Sequence, residues 1–244
     1  MKKQTVKNGI DRTELLTPLL HGWKVGLITN PTGMNKDFVS TIDILHEMGV
    51  LACLFSPEHG VRGEHQAGAK VTFYTDEKTG VPVHSTYGGN PHIPPEILQT
   101  LDALVYDIQD VGARYYTYVY TLSYAMEDCA AAGKPLVILD RVNPVGGGME
   151  GTILERPFSS FVGRYPIPSR YGLTMGEVAL MYQGEGWSYF WQKTYPGGPE
   201  NLYGSTTSLS SKTYKGLWPW DNEIEEGDSA DIISIKEKLT ANFA

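Results

Sequence analysis

The chain has 244 residues, a net charge of −8 and 41% hydrophobic residues, enough for one sizeable core with a smaller appendage. That acidic balance supplies no basic stripe for a phosphate backbone, which excludes nucleic acid as a partner. No run approaches the roughly 18 apolar residues that a membrane helix needs.

The first stretch, MKKQTVKNGIDR, is basic but lacks the apolar segment that must follow in an export signal. As encoded, a cytoplasmic protein is expected, or an extracellular or periplasmic one if a leader has been lost. KVGLIT (24–29) is a continuous apolar run stopped by Asn30, Pro31 and Gly33, the pattern of a strand buried on both faces. Residues 38–48 place Ile42, Leu45 and Met48 on one helical stripe, closed by Gly49 before the strand VLACLF. IPPEILQTL reads as a short helix opened by Pro94 and Pro95, and ALVYDIQDVG (103–112) as a strand with a polar end. A helix over 118–133 ends at Gly133, followed by the strand KPLVILDRVNP (134–144).

Strands alternating with helices predict a doubly wound α/β fold with a mostly parallel sheet and helices on both faces. Beyond about Gly184 the chain is rich in Gly, Ser, Thr and aromatics without periodicity. The expected organisation is therefore a main domain over 1–186 and an irregular segment over 187–244, with a terminal helix over 229–242.

Three strand ends carry the polar residues: SPEHG, DIQDVGARY and DRVNP. Ligands of open α/β sheets sit at the carboxyl ends of the strands. A rim of Glu58, Asp107, Asp110, Asp140 and Glu150, balanced by Arg62, Arg114 and Arg141, suits general acid and base work, since clustered carboxyls drive one another's pKa values apart. Read one at a time, the same residues serve equally well as caps and ion pairs that hold loops. His59, beside Glu58, reads as a base, a ligand contact or a structural imidazole. Tyr115, Tyr116, Tyr118 and Tyr120 offer rings for packing or for a sugar platform, and Arg170 is available for a ligand carboxylate.

His65, His84 and His92 lack ligand spacing, so no metal site is predicted, and Cys53 and Cys129 read as buried hydrophobes rather than a disulfide framework. PVGGGMEG lacks the residues of a phosphate loop and reads as a loop presenting Glu150. No GxSxG elbow supports an esterase. Thr174 and Glu177 form a capping-box signature.

Taken in order, GLITNPTG, FSPEHGVRGEHQAG, DIQDVGARYYTYVYTL, LDRVNPVGG, EGTILE and GRYPIPSRYGLTMGE resemble the exo-acting β-N-acetylmuramidase family, formerly a domain of unknown function, over roughly residues 6–186. The resemblance implies a Rossmann-like domain with a smaller C-terminal subdomain, no cofactor, and release of N-acetylmuramic acid from the non-reducing end of peptidoglycan fragments. The substrate would be a muropeptide or a disaccharide ending in that sugar. Carried over by motif, Glu58 is the expected general acid with His59 and Asp110 beside it. Asp107, Gln109, Arg114, Tyr116, Asp140, Arg141 and Asn143 are the expected pocket residues. The lactyl carboxylate of the sugar calls for a cation from Arg62, Arg114, Arg141 or Arg170. Tyr171 stands where the pattern leads one to expect histidine, and residues 187–244 depart from the family's second subdomain. A catalytically weak or silent carbohydrate-binding protein of the same fold is the alternative reading.

Overall fold

Strand β1 (Val25–Thr29) is buried at every position. Both its edges are paired, in parallel, with β2 (Leu51–Ser56) on one side and β5 (Ala103–Asp107) on the other. In the computed structural model these elements belong to, the described residues are 6–58, 60–63, 73–86 and 90–185. With β3 (Phe73–Thr75), β4 (Pro82–Ser85) and β6 (Leu136–Ile138), the sheet order is β3-β4-β2-β1-β5-β6. Among the described residues β3 alone runs antiparallel to its neighbour.

The chain winds outward from β1 through β2 to β4, then crosses back to β5 and on to β6. The winding direction therefore reverses between β1 and β5, and a crevice at the carboxyl ends of those two strands follows from the topology.

Alternate side chains along each strand enter different cores. Ile28, Phe55, Leu104, Tyr106, Leu136 and Ile138 pack on one face with α3 (Pro95–Leu98), α4 (Tyr118–Ala132) and α5 (Met175–Gly184). Val25, Leu27, Leu54, Val83, Val105 and Val137 pack on the other with α1 (Thr13–Leu20) and α2 (Thr41–Glu47). Each such aliphatic side chain contributes roughly 1.5–3 kcal/mol on burial. Helices on both faces of a mostly parallel sheet are the doubly wound architecture expected above.

Local signals fare unevenly. Gly133 ends α4 in the left-handed conformation, and the capping box of α5 forms, with Thr174 and Glu177 exchanging side-chain to backbone bonds. Helix α2 begins later than its apolar stripe predicts, because the Ser40 hydroxyl accepts the Ile42 amide and caps it there. Phe38 is thereby left in the preceding loop, 84% exposed. The β6 strand is short because Asp140 turns away to cap another helix. The β3–β4 hairpin has no strong sequence signal; its turn is made by Asp76, whose carboxylate accepts the Thr79 amide and hydroxyl. The expected helix over 229–242 and the segment 187–244 lie outside the described residues.

Candidate active site

Most of the polar residues at the strand ends build a frame. Asp107, the last residue of β5, is fully buried and receives two bonds from Arg141, Nε to Oδ1 at 2.6 Å and Nη2 to Oδ2 at 2.9 Å. Thr41 at the start of α2 donates to the same carboxylate, and Arg141 Nη2 also donates to the Met34 carbonyl at 2.8 Å. One ion pair thus joins the ends of β5 and β6 to the loop after β1 and to α2. Gly33 permits the close approach: a Cβ there would collide with the Thr29 hydroxyl and the Asp107 carbonyl.

Asp140 caps α5. Its carboxylate accepts the Gly176 amide at 2.9 Å and the Thr174 hydroxyl at 2.7 Å, which suits the positive end of a helix. Asn143 bridges the Leu173 carbonyl and the Val145 amide, and Gln109 donates to the carbonyls of Asp110 and Val142. Gly112, at φ 72°, lies against the Asn143 amide group, where any Cβ would clash.

The arginines divide in a similar way. Arg62 binds Asp76 and Asp43, stapling the loop after β2 to α2 and the hairpin. Against the cost of burial, hydrogen bonds from Arg62 and Thr79 hold the Asp76 carboxyl below its usual range. Arg170 pairs with Glu150 at 2.8 Å and donates to the Val145 carbonyl. Arg114 differs from both. It is 6% exposed, and its Nη1 donates to the carbonyls of Thr152 and Ile167 at 2.7 and 2.8 Å, while Nη2 donates to the Tyr115 hydroxyl. Its Nε has no acceptor, and no carboxylate lies within ion-pair distance of it among the described residues.

Glu58, Asp110 and Tyr116 remain. Glu58 follows Pro57 just past the end of β2 and is half-buried. With β1 between β2 and β5, the two strand tips are about 10 Å apart, two strand spacings. Burial first, then the Asp110 carboxylate, push the Tyr116 hydroxyl up; a hydrogen bond with Tyr118 opposes them and the Glu58 carboxylate adds to the rise. Its ring meets Tyr118 edge-on, with centroids 4.8 Å apart, and burial pushes the Tyr118 hydroxyl up to about 12, opposed by a bond from Asn30. Tyr118 is one of the four rings the sequence offers for packing or a sugar platform, whereas Asn30 was not singled out as a site residue. The available signal was topological, since Asn30 begins the loop after β1 and so borders the crevice at the reversal of winding. His59 lies outside the described residues.

Asp110 is 5% exposed. Its Oδ2 accepts the Gly112 amide at 2.8 Å and the Tyr171 hydroxyl, while Oδ1 has no hydrogen-bond partner. Burial pushes this carboxyl up to about 6, against the pull of Tyr171 and of the Gly112 and Val111 amides. The folded state therefore holds this proton more tightly than the unfolded chain, with its ordinary value of 3.8. Below about pH 4 the group costs nothing; as pH rises from about 4 to 6 its ionisation progressively destabilises the fold. Asp110→Asn keeps an acceptor for both donors and removes the titration. Relative to this variant, the wild-type protein should lose on the order of 2–3 kcal/mol between pH 4 and pH 7 in urea unfolding. A difference independent of pH would contradict the burial argument.

Among the described residues no group of three or more His, Cys, Asp or Glu is placed to hold a metal ion, and no helix is long and apolar enough to cross a membrane.

Residues 25–215 match the family described as "Exo-beta-N-acetylmuramidase NamZ, N-terminal". The chain is 51% identical over 191 residues to the peptidoglycan beta-N-acetylmuramidase NamZ of Bacillus subtilis (strain 168), an alignment covering 75% of this chain and 45% of that relative. Two crystal structures of DUF1343 family proteins from Bacteroides fragilis NCTC 9343 are similar. One has a TM-score of 0.67 at 47% identity, over 74% of this chain and 46% of that one. The other has a TM-score of 0.66 at 35% identity, over 82% and 56%. The chain spans about half the length of these relatives.

Proposed function

The chain belongs to the exo-β-N-acetylmuramidase NamZ N-terminal family, and from that premise we propose that it hydrolyses the β-glycosidic bond of an N-acetylmuramic acid residue at the non-reducing end of a peptidoglycan fragment. The observation that carries the reading is that Glu58 follows β2 and Asp110 follows β5, the two strands flanking β1, at the carboxyl ends where α/β folds bind ligands. Glu58 is the proton donor. It sits just past the end of β2, half-buried.

Glycoside cleavage needs a proton on the departing oxygen as the bond to the anomeric carbon breaks. In this reading Glu58 supplies that proton, water supplies the hydroxyl that ends on the anomeric carbon, and the water's second proton restores the carboxyl. The sugar's lactyl carboxylate needs a cation. Arg62, Arg141 and Arg170 face carboxylates of the protein, which leaves Arg114, bonded to carbonyls and a tyrosine, as the guanidinium with charge to offer. The substrate is a muropeptide or a disaccharide ending in N-acetylmuramic acid.

A chromogenic β-N-acetylmuramide tests this directly, with release expected from the purified chain. Binding of N-acetylmuramic acid by calorimetry without release would favour the carbohydrate-binding alternative. Neither release nor binding would remove both.

A further inference from the structure

The charge of Asp110 bears on five tyrosines drawn from different parts of the fold. Tyr106 comes from β5, Tyr116 from the loop that follows, Tyr120 from α4, Tyr171 from the segment before α5, and Tyr182 from α5 itself; each of them senses the Asp110 charge. Glu58 acts on Tyr116 as well. Of the five tyrosines, Tyr106 and Tyr120 direct their hydroxyls at backbone carbonyls, those of Tyr118 and Arg114, at 3.0 and 2.8 Å. Tyr171 instead donates to the carboxyl itself, at Oδ2.

The donors are arranged asymmetrically. Tyr171 and the Gly112 amide both converge on Oδ2, and Oδ1 has no partner. Oδ2 is thus the acceptor oxygen in either protonation state, and a proton gained by the group goes to Oδ1. A buried carboxylate with one unpartnered oxygen is costly, so the Tyr171 hydroxyl is a principal side-chain interaction favouring the ionised form. The Tyr171 ring is 1% exposed and packs within the core shared with α4 and α5. Its phenyl part therefore belongs to the fold, while its hydroxyl is free to serve the site.

We infer that Tyr171 is a positioning residue of this site: through its bond to Asp110 it fixes which oxygen of that carboxyl can carry a proton and sets the pH at which the charge opposite Glu58 appears. The inference rests on the proposed glycosidase reading, because it assigns that charge a part in turnover. Asp110 acts here on Tyr116, which lies in the fields of both carboxyls. Burial, which already raises the Asp110 carboxyl, means that loss of the hydroxyl moves it further up.

The test uses the full chain and two variants, Tyr171→Phe, which keeps the buried ring, and Asp110→Asn. Carboxyl 13C NMR follows Asp110, its resonance identified by its absence in Asp110→Asn. The midpoint is expected near pH 6 in the wild-type protein and roughly one unit higher in Tyr171→Phe, about a tenfold change in proton affinity. The pH profile of kcat/KM on the chromogenic muramide should show a limb that moves by the same amount in Tyr171→Phe and vanishes in Asp110→Asn. A merely structural Tyr171 would lower kcat or stability without moving that limb. An unchanged NMR midpoint in Tyr171→Phe overturns the pairing. A moved midpoint with an unmoved limb overturns the role in turnover. Absence of wild-type turnover at every pH instead removes the glycosidase reading, and the assigned role falls with it, even if the midpoint moves.

Discussion

Glu58→Gln is expected to lower kcat/KM on a β-N-acetylmuramide by about 10²- to 10⁴-fold, the range general acid catalysis contributes, while leaving binding of N-acetylmuramic acid nearly unchanged. The amide preserves the size and most of the hydrogen-bonding reach of the carboxyl but has no proton to transfer to a departing oxygen. Stability should change little, since the substitution keeps the size and shape of a half-buried side chain. The decisive comparison is between substrates with different leaving groups. A glycoside with an acidic phenol needs little protonation and should be affected least; one with a sugar leaving group should be affected most. An equal, small loss on both would show that the proton comes from another group, and Asp110 would be the next to test.

The sequence made the fold legible because its strands are of the kind that cannot be mistaken for surface elements. VGLIT and ALVYD have no polar alternation, so both must be covered on two faces, and the caps at Gly133 and Thr174 mark helix ends by chemistry that acts locally. The hairpin around Asp76 was not legible. Its strands have three and four residues, and it is held by Arg62, a partner 14 residues away.

Within the site, the strand ends could be identified but not sorted. Asp107, Asp110 and Asp140 look alike in the sequence as acidic residues after apolar runs. What distinguishes them is the partner each meets through the tertiary fold. Asp107 finds Arg141, Asp140 finds the start of α5, and Asp110 finds a tyrosine ring with one oxygen left over. Those partners lie 34, 36 and 61 residues along the chain, and no spacing rule reaches that far. Arg62 and Arg170 were promising cations for the same reason that they proved to be paired: a guanidinium near a cluster of carboxylates has protein carboxylates to choose from.

Arg141→Met should show how much of this site depends on its frame. The side chain is 5% exposed and its partner carboxylate is fully enclosed, so removing the guanidinium leaves Asp107 with the Thr41 hydroxyl and no counter-charge. Breaking one side of a buried pair typically costs about 3–5 kcal/mol, because the remaining charge must stay desolvated or take up a proton. The Met34 carbonyl loses its donor as well. A loss of that size should appear in urea unfolding at pH 7 and should shrink as pH falls and Asp107 becomes neutral. Adding Asp107→Asn to the same chain removes the stranded charge while retaining an acceptor for Thr41, so the double variant should recover a substantial part of the loss, on the order of 1–3 kcal/mol of coupling. Since the pair joins β5, β6 and the loop after β1, the single variant should also weaken ligand binding at the crevice, in contrast to Glu58→Gln. A cost below about 1 kcal/mol, or a double variant no more stable than the single one, would mean that the strand tips are held in place by packing alone.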